Sequence, residues 1–241
     1  MSDAASRLEV AQASRILASL GVVDAFGHVS RRSREGADAF YLSRSLAPAL
    51  VGVEDVLLHD LGGNLVAEAG TPAFLERFIH AEIYRARPDV NAVVHSHDPS
   101  VLPFTVVPGA SLQPICHVCG FLAGTRPPFD VAEVAGEATN LLIVNPALGR
   151  QFAAHLGKGA VALMRAHGFT AVGGSIPQAV FRAVYTARNC QIQLAAMQLG
   201  MPSYLSDGEA AACEITTAAQ ADRAWKLWVH QFADPSLLGA S

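Results

Sequence analysis

Apolar residues in this chain come in short runs with two different periods, and those periods define the elements. Residues 4–20 carry Leu8, Ala11, Ile16, Leu17 and Leu20 near helical spacing, with Gly21 as a stop, which predicts an amphipathic helix. Residues 24–30 (Asp-Ala-Phe-Gly-His-Val-Ser) read as a glycine-punctuated turn into a strand. Residues 40–45 read as a strand ending in polar groups, and 56–66 as a hairpin around Gly62-Gly63-Asn64. Thr71-Pro72 predicts a helix start, because Thr caps and Pro suits the first helical position; that helix runs to about Arg87, before Pro88. The run Val90-Asn91-Ala92-Val93-Val94, which leads to His95-Ser96-His97, predicts a buried strand. A proline-rich segment follows at 99–128, then a helix at 149–156 and a buried strand at 160–164 that ends in Arg165-Ala166-His167-Gly168. A long helix is predicted at 176–199 with Val180, Ala183, Val184, Ala187 and Ile192 as its inner stripe, and another at 218–232 carrying Trp225 and Trp228. No repeat, linker or low-complexity tract divides the sequence, so residues 1–241 read as one α/β domain.

Composition narrows the class. The chain is 51% hydrophobic and 16% charged with a formal net charge of -4, ample for a substantial core and without the basic clusters that nucleic acid requires. No run approaches the roughly 20 apolar residues of a membrane helix, and the first ten residues lack the basic end and apolar stretch of a signal peptide. The four cysteines do not make a dense disulfide framework, and Cys116-x-x-Cys119 has no second pair to complete a zinc site. Ordinary thiols in a cytoplasmic protein are the expectation. Gly157-Lys158-Gly159 lacks the earlier glycine of a P-loop, with Phe152 in its place, so nucleotide binding is not indicated.

The chemistry lies at the end of the strand after Val90. Alternation puts Val93, His95 and His97 on one side, so two imidazoles lean into one space. That pattern fits either a pair of metal ligands or two hydrogen-bonded histidines. His167, also near a strand end and before a glycine, is either structural or the third member of an open metal triad. Glu76, one turn before His80, reads by default as a solvated helix-face carboxylate.

Together, Gly27-His28-Val29-Ser30, Glu76, Arg87-Pro88-Asp89-Val90-Asn91-Ala92-Val93-Val94-His95-Ser96-His97 and His167-Gly168 resemble the class II aldolase/adducin family over residues from about 6 to 200. The resemblance implies a three-layer α/β/α fold with a central, mostly antiparallel sheet, and homotetramers with active sites at subunit interfaces. It implies that His95, His97 and His167 bind one divalent metal (Zn2+ or Mn2+, with Fe2+ or Co2+ also suited to this donor set) and that Glu76 is the active-site carboxylate. Such a metal stabilises the charge left when a carbon–carbon bond breaks.

The chain departs from the sugar-phosphate aldolases of that family at the positions that hold phosphate. Gly-Asn-x-Ser is replaced by Gly27-His28-Val29-Ser30, Thr-Gly by Ser43-Arg44-Ser45-Leu46, and Ser-Ser before the glutamate by Phe74-Leu75. Two bulky apolar side chains donate no hydrogen bond to phosphate and dry that end of the pocket. A non-phosphorylated substrate, with a flat ring against Phe74, is the expectation. Arg44 is either a planar anion partner for a carboxylate or a solvent-exposed strand-end arginine. His28 is either a substrate contact or a turn histidine with a satisfied ring. His117 stands where the aldolases carry a tyrosine that reaches a neighbouring subunit's site as proton donor, and a histidine there suits the same task. These departures favour a metal-dependent decarboxylase of a hydroxyaromatic or hydroxypyridine (di)carboxylate over an aldolase acting on a hydroxy-keto acid or sugar phosphate. A non-catalytic adducin-like interaction module is the remote alternative, since such modules are expected to lack the metal histidines.

Overall fold

In a computed structural model of the chain, residues 3–34, 38–67 and 70–233 are described. A six-stranded sheet runs in the order β3-β2-β1-β4-β6-β5, with β1 His28–Arg32, β2 Ala39–Ser43, β3 Val56–Asp60, β4 Ala92–Ser96, β5 Val161–Met164 and β6 Gly168–Gly173. Every neighbouring pair is antiparallel. Helices lie on both faces. On one side α1 (Asp3–Ser19), the long helix α6 (Ile176–Leu199) and α8 (Ala221–Phe232) pack on Val29, Tyr41, Val94, Phe169 and Ala171. On the other, α2 (Arg77–Ala86) and α5 (Pro146–Leu156) cover Phe40, Leu42, Val93, Ala162 and Val172. Short helices α3 (Pro103–Val106) and α4 (Val131–Ala135) and the α7 helix (Asp207–Ala218) complete the set, with a 3-10 stretch at His117–Leu122 packed against α7. No helix among the described residues is long and apolar enough to cross a membrane.

Most predicted elements stand where the periodicity places them, and the differences have physical causes. The helix expected from Thr71-Pro72 begins only at Arg77, because the Pro72 carbonyl accepts a hydrogen bond from the Ser45 backbone (2.8 Å) and holds the chain against the end of β2. The expected hairpin at 56–66 reduces to β3 and a single bridge between His59 and Leu65. The run through 160–164 is followed by a second strand, β6, which starts at Gly168 and which the sequence pattern did not predict. A separate helix, α7, precedes the one expected near 218–232, and Ile192 is 46% exposed rather than part of the inner stripe of α6.

The register explains why a polar patch survives inside this apolar sheet. His28 pairs with His95 across β1 and β4, and His95 pairs with Thr170 across β4 and β6, so three polar side chains form a row on the α2 face. Ser30 lies two residues along β1 on the same face. Gly168 makes the close strand approach possible: a β-carbon there would overlap the Ser96 carbonyl oxygen.

His59, in β3, is fully buried and stacked on Phe40 at 5.2 Å, and its Nε2 has no hydrogen-bond partner. Burial lowers its pKa from 6.5 to about 4. The unfolded chain therefore binds the proton more readily, and stability contributed by neutral His59 is lost as pH falls from 6.5 towards 4. In urea titrations of metal-free protein, the drop in unfolding free energy between these pH values is expected to be up to about 3 kcal/mol smaller in His59→Phe than in wild type; equal drops would show that His59 is not buried neutral.

Candidate metal centre and substrate cavity

Glu76, His95, His97 and His167 each offer one ligand atom, and these atoms lie within 4.8 Å of one another. His95 is the last residue but one of β4, and His97 lies one residue beyond the strand's end. His167 sits in the three-residue turn between β5 and β6, next to Ala166, whose φ of 53° tightens that turn. Glu76 is the residue before α2. Its carboxylate makes no cap hydrogen bond to that helix, and Oε1 instead accepts from the Ile143 backbone N–H at 3.0 Å.

The donor set fits a cation. His97 Nε2 lies 2.9 Å from His95 Nε2 and 3.0 Å from His167 Nε2. On the far side of the rings, His95 Nδ1 faces the Phe169 carbonyl (3.1 Å) and Thr170 Oγ1 (3.3 Å), while His167 Nδ1 faces the Leu141 carbonyl (3.0 Å). A carbonyl only accepts, so each Nδ1 carries the proton and each Nε2 presents a lone pair inward. One hydrogen on His97 could satisfy only one of the two contacts. Lone pairs converging at this spacing call for a positive ion between them. Burial and the neighbouring imidazoles push His97 down to about 3, so at neutral pH it is an uncharged ligand. Burial alone would raise the Glu76 carboxyl, but positive charge carried at His167 Nε2 (3.3 Å) and His95 Nε2 (3.6 Å) outweighs burial and pulls it below the usual carboxylate range.

A cavity of about 380 Å³ opens beside this cluster. Glu76 and His97 line it together with His28, Phe26, Phe74 and Leu75. The Phe74 ring lies 4.5 Å from that of His28, and Phe26 is 66% exposed at the rim. The wall is therefore as apolar as Phe74-Leu75 in the sequence suggested. His28 is buried, its Nδ1 lies 2.6 Å from His80 Nε2, and burial next to other imidazoles holds both rings well below the usual histidine pKa.

Three expected site residues stand elsewhere. The Arg44 Nε donates to Asp55 Oδ1 at 2.6 Å, and Arg44 is not among the residues lining the cavity; an arginine already paired with a carboxylate is a poor anchor for a second one. Ser43 is buried at the end of β2, also away from the lining, although the next residues Ser45 and Leu46 do line it. His117 is exposed at the start of the 3-10 stretch, outside its own chain's cavity. Sequence reading missed the 141–143 segment, which supplies the Leu141 carbonyl, the Leu142 lining and the Ile143 amide. No local signal marks it: Leu141 adopts φ 66° in a loop set by the hydroxyl and amide side chains of Thr139 and Asn140.

Comparison with known proteins agrees with the fold and the family. Residues 8–194 match the Class II Aldolase and Adducin N-terminal domain. The chain is 40% identical over 239 residues to decarboxylase tropJ of Talaromyces stipitatus, covering 87% of each. It is 34% identical over 194 residues to 3,4-dihydroxyphthalate decarboxylase of Arthrobacter keyseri, covering 76% of this chain and 75% of that one. Among solved structures, an L-fuculose 1-phosphate aldolase from Glaciozyma antarctica superposes with a TM-score of 0.76 at 24% identity, over 95% of this chain and 90% of that one. An aldolase II superfamily protein from Pseudomonas syringae superposes with a TM-score of 0.78 at 22% identity, over 95% and 92%. The chain belongs to the class II aldolase and adducin family, and it is a lyase of that family with a possible His/Glu metal site.

Removing one imidazole tests the cluster. His97→Asn is expected to weaken divalent-metal binding by more than the roughly 10–100-fold that a supporting hydrogen bond is worth. Thr170→Val, which leaves His95 Nδ1 its Phe169 carbonyl, should fall within that range. Chelator-competition titrations followed by elemental analysis measure both, and unchanged affinity in His97→Asn would contradict the assignment.

Proposed function

We propose that the chain is a metal-dependent decarboxylase of a non-phosphorylated hydroxyaromatic or hydroxypyridine (di)carboxylate. The observation that carries the reading is the apolar wall of Phe74 and Leu75 beside Glu76 and His97 in one cavity. A phosphate at that wall would lose its water without gaining donors, whereas a flat ring gains contact area and an aromatic partner. The names of the two decarboxylase relatives support the same class.

In this reading His95, His97 and His167 hold one divalent ion, Zn2+ or Mn2+, with Fe2+ or Co2+ accommodated by the same donors. When bound, that ion supplies a Lewis acid for the charge that develops as a carbon–carbon bond breaks. The remaining steps fall to side chains. Phe26, Phe74 and Leu75 orient the ring and exclude water, and His28 offers its free ring nitrogen to a substrate oxygen. Glu76, kept ionised beside two imidazoles, is placed to hold or move a proton at its Oε2 atom. Once carbon dioxide leaves, the ring carbon takes up a proton, and His117 is the acid for that step in a neighbouring copy's site. Its exposure outside its own cavity supports that role, and with it a homotetramer with interfacial sites. Four free cysteines support a reducing cytoplasmic location.

The purified protein supplied with Zn2+ or Mn2+ is expected to release carbon dioxide from ortho-hydroxy aromatic dicarboxylates and no aldehyde from phosphorylated ketoses. Phe74→Ala should lower kcat/KM for the aromatic substrate by about 1–3 kcal/mol, roughly 5- to 150-fold. Aldehyde release without carbon dioxide would make the protein an aldolase instead.

A further inference from the structure

A chain of four buried side chains runs inward from the cavity. His28 Nδ1 lies 2.6 Å from His80 Nε2, His80 Nδ1 lies 2.6 Å from Ser30 Oγ, and Ser30 Oγ lies 2.7 Å from the Tyr84 hydroxyl. His80 and Ser30 are fully buried, Tyr84 is 1% exposed, and Phe40 packs parallel to the His80 ring. All four come from two elements: His28 and Ser30 share a face of β1, and His80 and Tyr84 are one turn apart on α2.

Hydrogen counting fixes the direction of this chain. Each imidazole here is neutral in an apolar setting and carries one N–H, and each hydroxyl has one hydrogen to give. The Tyr84 hydroxyl meets Ser30 Oγ at 2.7 Å and the backbone of Val93, whose N–H is a donor, so among the described residues Ser30 Oγ is the acceptor offered to the Tyr84 hydrogen. If Tyr84 donates to Ser30, then Ser30 donates to His80 Nδ1, and His80 Nε2–H donates to His28 Nδ1. The hydrogen of His28 must then sit on Nε2. Run the other way, the chain would leave the buried Tyr84 hydroxyl hydrogen without an acceptor, which costs about 1–3 kcal/mol. His28 Nδ1 is turned towards His80, so Nε2 is the nitrogen on the cavity side of a ring that lines the cavity.

We infer that Tyr84, Ser30 and His80 are positioning residues that lock His28 as an Nε2–H donor aimed into the cavity. Two consequences follow. His28 cannot join the metal ligands, although its ring centre is 5.1 Å from that of His95, because both of its lone-pair options are closed. Its cavity-side nitrogen selects an acceptor, such as a carboxylate or phenolate oxygen, and rejects a donor such as an ammonium or amide N–H. The selected class rests on the decarboxylase reading, whereas the tautomer does not.

The test is nitrogen NMR of the whole protein with 15N-labelled histidine, with His28 assigned from the spectrum of His28→Gln. The expected result is a protonated Nε2 and an unprotonated Nδ1 in His28, with the Nε2–H signal moving when 2-hydroxybenzoate is added. Ser30→Ala, which removes the donor to His80 Nδ1, should convert His28 to a mixture of tautomers and weaken 2-hydroxybenzoate binding about 10-fold. A His28 protonated at Nδ1 or at both nitrogens would overturn the inference, as would an Nε2–H signal unmoved by the carboxylate or a tautomer indifferent to Ser30→Ala. Failure of carbon dioxide release with the tautomer intact would overturn only the decarboxylase reading.

Discussion

The His97 Nε2 atom, set 2.9–3.0 Å from two imidazole nitrogens whose lone pairs both face it, forms the constraint on which the rest of this structure depends. Such an arrangement repels itself unless a cation sits among the nitrogens. The carbonyls of Phe169 and Leu141 hold the outer ring nitrogens of His95 and His167, and so prevent either ring from turning its hydrogen inward. The antiparallel register, the missing side chain at Gly168 and the turned loop at Leu141 are all needed to place those carbonyls. The fold thus builds the site from the outside, through backbone atoms rather than through further charged groups.

A second set of constraints shapes what enters. The residues before α2 are kept out of the helix where the Pro72 carbonyl accepts from the Ser45 backbone N–H, and Phe74 lies over His28 with Leu75 at the cavity. In the same step the Glu76 carboxylate is withdrawn from helix capping and given to Ile143. One short segment therefore sets both the Glu76 carboxylate and the apolar wall. That coupling explains how a fold shared with sugar-phosphate aldolases can present a cavity suited to flat, non-phosphorylated molecules.

Much of this was legible in the sequence, and the reasons differ by residue. Period-two alternation placed His95 and His97 together because a strand leaves no other choice, and the helix at 176–199 followed from its apolar stripe. The Thr71-Pro72 start failed because a tertiary hydrogen bond outweighed a local propensity. The α7 helix was written in the Ser206/Glu209 capping box, a signal present but unread. The pairing of Arg44 with Asp55 lay outside what local pattern reports, since it depends on β2 and β3 lying side by side. The 141–143 loop offered no pattern at all, because its role comes from backbone atoms.

In the proposed function a metal held by the three histidines meets a hydroxyaromatic carboxylate in the cavity walled by Phe74. The visible spectrum of the cobalt-loaded protein measures that meeting directly, since ligand-field bands respond to what approaches the ion. Bands are expected on loading, shifting when 2-hydroxybenzoate is added and staying fixed with a phosphorylated ketose. No bands on loading, or a shift with the sugar phosphate alone, would contradict the proposed function.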